Sequence, residues 1–189
     1  AAGDLDGDGA VEVVFLTRDG ALHVVDGASG DPELLTYPPI PQGAERWELA
    51  RVADFRGEGD RDLLLQATNL EGYRTGKYLA AYSYEGLAKG EEPLWSSESF
   101  EACAHNGARL SDLDGDGRDE VLGGQIVSAT GYVIAEPAGF DGHMDSVFVN
   151  DVVPEVPGLE LVLLEEGSDQ VLVVGRGGRF WRDLVREGE

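Results

Sequence analysis

The chain of 189 residues has a single cysteine, Cys103, so no internal disulfide can form and the fold must rest on packing or on bound groups. Basic residues are scarce. Fourteen lysines and arginines, of which only Lys77 and Lys89 are lysine, face 37 aspartates and glutamates, a formal charge of −23. That deficit excludes nucleic-acid binding through a basic stripe and attachment to an anionic membrane through a polybasic patch. Long apolar runs are lacking too. Those at Val13–Leu16 and Leu161–Leu164 are far too short to span a bilayer, so no membrane insertion is expected. No window of helical period and adequate length occurs. No signal peptide is recognisable, and the first residue is Ala1 rather than Met, as expected of a processed or excised segment.

What the chain has is glycine, acid and repetition. Its 27 glycines are about twice the usual ~7%. The segment Asp4-Leu5-Asp6-Gly7-Asp8-Gly9-Ala10-Val11-Glu12 matches Asp112-Leu113-Asp114-Gly115-Asp116-Gly117-Arg118-Asp119-Glu120 at seven of nine positions. A weaker copy runs from Asp54 to Asp62, and a fourth, one residue longer, from Asp151 to Glu160. The leading aspartates are 50, 58 and 39 residues apart. Short apolar runs flank each copy, and Asp19-Gly20, Asp26-Gly27, Glu85-Gly86 and Gly177-Gly178 supply hairpin chemistry between them.

Four strands per unit of about 40–50 residues is the pattern of a propeller blade, whereas a parallel β-helix has much shorter repeats. The expected fold is an all-β β-propeller segment over residues 1–189. It is an arc of about four four-stranded blades, approximately 1–43, 44–103, 104–143 and 144–189, cut from a larger ring. The first blade should be incomplete, because only Ala1-Ala2-Gly3 precedes its loop and the tail 185–189 is too short and polar to complete it.

The acidic loops have the chemistry of calcium sites. Aspartates at positions 1, 3 and 5, curled together by glycines, converge with a carbonyl at position 7 and an acid at position 9. In the first loop these are Asp4, Asp6, Asp8, the Ala10 carbonyl and Glu12; in the third, Asp112, Asp114, Asp116, the Arg118 carbonyl and Glu120. The helix-loop-helix calcium motif requires glutamate at position 12, where these loops have Phe15 and Gly123, so the acid leads into a strand instead. Arg56 occupies position 3 of the second loop, where its guanidinium could fill the cation's place and bridge Asp54, Glu58 and Asp62. The fourth loop has Val153 there and is stiffened by Pro154 and Pro157. About two calcium ions are expected, not four.

The D-x-D-G-D-G-x-x-E loop followed by a short apolar strand resembles the FG-GAP repeats of integrin-like propellers. A closer resemblance covers roughly residues 60–165, through Gly72-Tyr73, Tyr78-Leu79-Ala80-Ala81-Tyr82, Pro93-Leu94-Trp95, Ala104-His105-Asn106-Gly107, the Asp112 loop, Gly142-His143-Met144-Asp145 and Pro157-Gly158-Leu159-Glu160. These stretches are similar to the rhamnogalacturonan lyases of polysaccharide lyase family 11. The resemblance implies a calcium-bound propeller, cleavage of pectin backbones by β-elimination, and a secreted or cell-surface polysaccharide-handling protein of bacterial or archaeal origin. Where the lyases carry a lysine- and aspartate-containing stretch, this chain reads Gln66-Ala67-Thr68-Asn69.

Trp47, His105 and His143 lie seven, seven and eight residues before Asp54, Asp112 and Asp151. Such equivalent positions, at turns leading into innermost strands, would gather on the face opposite the calcium loops. With Asn106 and Asp145 they form a candidate ligand face suited to stacking and hydrogen bonding with sugars, where a histidine could accept a proton. An equal reading makes them struts at blade junctions. His23, in an alternating strand, reads as structural. Two functions compete. One is a calcium-stabilised extracellular module for polysaccharide binding or cell-surface assembly with neighbouring chains or blades; the other is a segment of a polysaccharide lyase.

Overall fold

The computed structural model describes residues 1–69, 76–100, 107–136, 144–155, 157–165, 171–175 and 179–182. The described chain is nearly all β and falls into four antiparallel meanders of four strands each, as the repeats imply. It divides into two compact units, Ala1–Ser99 and Phe100–Glu189. No described helix is long and apolar enough to cross a membrane.

In the first unit, one sheet runs β1 (Ala2–Gly3), β2 (Glu12–Leu16), β3 (Leu22–Asp26), β4 (Pro32–Thr36). The other runs β5 (Ala44–Ala53), β6 (Asp62–Asn69), β7 (Tyr78–Ser83), β8 (Trp95–Ser97). The first sheet is incomplete in the length of its inner strand, not in strand number. Ala2 and Gly3 pair with Val13 and Glu12, and the Ala1 carbonyl accepts the Val14 N–H at 2.8 Å. Alternation decides what is buried. Val14, Leu22 and Val24 meet Leu63, Leu65, Ala67, Ala80 and Tyr82 in one core, each side chain contributing about 1.5–3 kcal/mol.

A short helix, α1 (Tyr84–Lys89), stands where Glu85-Gly86 was expected to make a hairpin turn. Its signals are local. The Ser83 hydroxyl accepts the Gly86 N–H at 3.0 Å, and Gly90, at φ 73°, ends the helix in the left-handed region.

In the second unit, β9 (Arg109–Ser111), β10 (Glu120–Leu122), β11 (Ile126–Val127) and β12 (Val133–Ala135) form one sheet. The strands β13 (Met144–Asn150), β14 (Glu160–Glu165), β15 (Val171–Gly175) and β16 (Arg179–Arg182) form the other. Leu122, Ile126, Val147, Leu161, Leu163, Leu172 and Val174 make its core.

Trp47 departs from its expected place. It lies within β5, next to the bulge between Trp47 and Leu49, and is only 2% exposed. Its indole N–H donates to the Pro38 carbonyl at 3.1 Å, and the ring joins the core of the first unit. A large ring gains more by burial with its one donor satisfied than by facing solvent. Trp47→Phe should therefore lower stability by about 1–3 kcal/mol, through a lost hydrogen bond and unfilled space. Urea unfolding checks this; an unchanged midpoint would mean that the ring is not a core residue.

Candidate metal centres

The loop between the first and second strand of each sheet is organised by glycine and by carboxylates that accept backbone N–H groups. Positions 4 and 6 require positive φ: Gly7 and Gly9 at 81° and 89°, Gly57 and Gly59 at 74° and 88°, Gly115 and Gly117 at 79° and 85°. These turns aim successive N–H groups inward. Asp4 accepts from Gly7 and Gly9 at 2.7 and 3.1 Å, Asp54 from Glu58 and Gly59 at 2.8 and 2.9 Å, and Asp112 from Gly115, Asp116 and Gly117 at 2.7, 3.0 and 3.0 Å. At position 5, Asp8 accepts from Ala10 and Asp116 from Arg118.

The terminal acid of each loop is buried at the start of the next strand. Glu12 Oε2 accepts the Leu5 N–H at 2.6 Å, Asp62 Oδ2 the Phe55 N–H at 2.9 Å, and Glu120 Oε2 the Leu113 N–H at 2.9 Å. Glu160 Oε2 accepts from Val152 and Val153 at 2.9 and 3.0 Å. One carboxylate oxygen is thus spent on the loop, and the other differs from site to site. In the second loop Asp62 Oδ1 takes Arg56 Nε at 2.8 Å, while Arg56 Nη1 pairs with Glu58 at 2.9 Å. The guanidinium occupies the middle of this loop, as a built-in cation. In the fourth loop Glu160 Oε1 is buried with no hydrogen-bond partner among the described residues.

Among the described residues, no basic side chain forms an ion pair with the clustered carboxylates of the first and third loops. Asp4, Asp6 and Asp8 bring ligand atoms within 4.8 Å of one another in the first, and Asp112, Asp114 and Glu120 do so in the third. Both sets could hold a metal ion, and all-oxygen donors suit a hard divalent cation. Glu12 and Asp116 are in the same loops but outside these two groups. Ala10 and Arg118 sit at position 7 with their N–H groups turned to the neighbouring aspartate.

Electrostatics record the crowding. Burial pushes Glu120 up to about 7, with Asp114 and Asp116 adding repulsion against the pull of the Leu113 N–H. Burial also raises Asp62, opposed by Arg56. Desolvation raises Glu33 on β4, helped by Glu12, Asp6, Asp26 and Asp8, so β4 lies in the field of the first loop. Glu33 was missed in the sequence because nothing in its own segment refers to that loop.

The candidate ligand face is hardly represented. Trp47 is in the core, as above, and its ring is closed to a ligand. His105, Asn106 and His143 lie outside the described residues, as do the Gly177-Gly178 turn and the tail 185–189. Asp145 falls in β13 where the register with β14 shifts. His23 stacks on Phe15, centroids 4.8 Å apart and planes 3° from parallel, which fits its structural reading.

Residues 4–65, which include the first two acidic loops, match the FG-GAP-like repeat family. The chain is 26% identical to the rhamnogalacturonan exolyase YesX of Bacillus subtilis, over 87% of this chain and 33% of that protein. It is 28% identical to the rhamnogalacturonan endolyase YesW of the same organism, over 88% and 33%. It therefore spans about a third of the length of these curated relatives. A solved structure of a Bacteroides caccae protein of unknown function superposes with a TM-score of 0.48 at 13% identity, covering 90% of this chain and 56% of that one. The resemblance to FG-GAP repeats and to rhamnogalacturonan lyases is borne out, and the similarity to the lyases reaches well beyond residues 60–165.

Two outcomes follow from the loops. Arg56→Asp restores an aspartate at position 3 of the second loop and should add one bound divalent ion per chain; equilibrium dialysis with calcium counts it, and an unchanged stoichiometry counts against the built-in cation. Glu120 binds its proton more tightly folded than unfolded, so its stabilisation is complete below its ordinary value of 4.5 and is lost as pH rises through about 7. Stripped of divalent ions, the protein should lose stability across that window more steeply than Glu120→Gln does. Equal pH slopes in urea unfolding would overturn this.

Proposed function

We propose that this chain is a calcium-stabilised, extracellular β-propeller module for polysaccharide binding or cell-surface assembly. The observation that carries the reading is the pair of oxygen nests in the first and third loops, whose carboxylates make no ion pair among the described residues, in a chain similar to rhamnogalacturonan lyases. Asp4, Asp6 and Asp8 with Glu12 nearby would hold one ion, and Asp112, Asp114 and Glu120 with Asp116 nearby the other. Bound calcium would supply charge neutralisation to carboxylates that otherwise repel one another. The protein's own part is to present those carboxylates, already oriented by loop N–H groups, at the start of β2 and β10.

Assembly with further blades, of this polypeptide or of neighbouring chains, belongs to the same reading. Phe15, His23 and Leu35 are register neighbours across β2, β3 and β4, and Val13 follows on the same face. Val13, Phe15 and Leu35 are 38%, 42% and 56% exposed, an apolar face of the kind that a further sheet covers in a propeller. The second reading, a segment of a lyase acting by β-elimination, is favoured by the names of the relatives, of which this chain spans about a third.

Calcium at a hundredfold excess over Kd should stabilise the protein by about 2.7 kcal/mol per site, with about two ions bound, and the calcium-loaded protein should be retained on a polysaccharide gel. A melting temperature indifferent to chelator, with metal removal confirmed, would sink the calcium reading, and loss of retention would sink the binding role. Unsaturated product released from rhamnogalacturonan by the chain alone would decide for the lyase.

A further inference from the structure

The cavity that Tyr84 borders beside the first two loops is settled in charge: Asp6, Glu58 and Glu85 face Arg56 and Arg61, the latter laid over Gly7. The surface left without a role is on the third sheet. Residues 121–135 carry no charged side chain, the longest such stretch in a chain with 14 basic and 37 acidic residues. The stretch ends in β12, where three successive apolar side chains stand in solvent. Tyr132, Val133 and Ile134 are 74%, 43% and 55% exposed. Such a run outside the core is uncommon without a function.

This strand is also an edge. It pairs with β11 on one side, and among the described residues no strand pairs with the other. The hairpin fixes which backbone groups that edge offers. Gly131, at φ 87°, closes the turn with its N–H on the Ser128 carbonyl at 2.9 Å, and the Tyr132 carbonyl accepts the Ser128 N–H at 2.8 Å. Tyr132 therefore turns its carbonyl to β11, and Val133, next in the strand, turns its N–H and C=O outward. An outward edge is a template for pairing, which proteins block with proline, charge or short length. The other outer strands are blocked. Pro32 and Glu33 lie in β4, β16 begins and ends with Arg179 and Arg182, and β8 lies between Pro93 and Glu98. In β12 there is neither proline nor charge; only its three-residue length and a bulge against β11 limit the pairing.

Net charge selects the occupant. Two copies of a chain at −23 repel one another over most of their surface, so they meet at least cost where neither presents charge. Gln125 Nε2 donates to the Glu136 carboxylate at 2.9 Å, which ties down the acid next to β12. Antiparallel pairing about a two-fold axis is self-complementary. With Val133 opposite the partner's Val133, the two exchange both N–H···O bonds, and Tyr132 meets the partner's Ile134, an aromatic with a β-branched side chain. Glu136 then falls opposite the partner's Thr130 and not opposite a second glutamate.

We propose that the outer edge of β12 is a self-association site, at which two copies of this chain pair antiparallel about Val133 and join their third sheets into one of eight strands. The site goes beyond the apolar face at Val13, Phe15 and Leu35, because it uses backbone groups at a sheet edge and needs neither metal nor saccharide. Three residues a side make a small contact, so the dimer is weak and concentration-dependent.

Sedimentation equilibrium and hydrogen exchange of the calcium-loaded full chain, from about 1 μM to about 1 mM, test it. The dimer should grow across that range, and the Val133 amide should exchange at least tenfold more slowly at the top than at the bottom. Ile134→Lys, at an exposed position, should weaken dimerisation at least tenfold with an unchanged melting temperature, and Ile134→Val should preserve it. A monomer throughout overturns the site in the wild type alone. So does a dimer that survives Ile134→Lys, or one in which Val133 exchanges equally fast at both ends of the range. Dissociation by Leu35→Lys in place of Ile134→Lys moves the association to the first sheet's face and overturns this edge. None of these outcomes depends on calcium stoichiometry or on retention by polysaccharide, so failure of this site and failure of the proposed function are told apart.

Discussion

In each of the four sheets the second strand begins with a buried acid tied to the loop that leads into it: Glu12, Asp62, Glu120 and Glu160. A carboxylate taken out of water costs several kcal/mol unless it is compensated. Half of that compensation is local and the same everywhere, a loop N–H donated to one oxygen. The other half must be a cation or a further donor, and this requirement organises the rest of each loop.

The loops meet the requirement in different ways. The second recruits Arg56 from its own sequence, and so carries its counter-charge with the chain. The first gathers Asp4, Asp6 and Asp8, and the third sets Asp112 and Asp114 beside Glu120, with no ion-paired basic side chain among the described residues, donor sets with the character of a cation site. The fourth leaves Glu160 Oε1 without a hydrogen-bond partner among the described residues, in a loop where Val153 occupies the place that Arg56 fills. In the first three loops, aspartate or arginine at one position thus changes the electrostatic character of a repeated backbone frame. A chain with a formal charge of −23 can concentrate acid in this way only because the carboxylates are directed by N–H groups and not left to repel one another.

Two expectations gave way, one to local capping and one to strand pairing. The hairpin expected at Glu85-Gly86 gave way to a short helix, because Ser83 and Gly90 bracket it as caps and outweigh the turn preference of one glycine. Trp47 looked equivalent to His105 and His143 by spacing alone. Bulges in β5 shift the alternation, and the ring turns inward to the Pro38 carbonyl. Spacing from a loop cannot register a bulge, which is decided by the pairing of β5 with β6.

The acidic loops were legible because their chemistry is local. Glycines at positions 4 and 6, aspartates at 1, 3 and 5 and an acid leading into a strand determine the loop wherever it sits, and their recurrence with flanking apolar runs determines four-stranded antiparallel units. Arg56 was legible for the same reason: its partners lie in its own loop. The placement of Arg61 over Gly7, the reach of the first loop's field to Glu33, and the cavity bordered by Tyr84 join residues far apart in the chain. Only the packing of one sheet on the next brings them together. No residue type or spacing encodes that juxtaposition, because its energy comes from shared burial across two repeats and not from the preferences of either one.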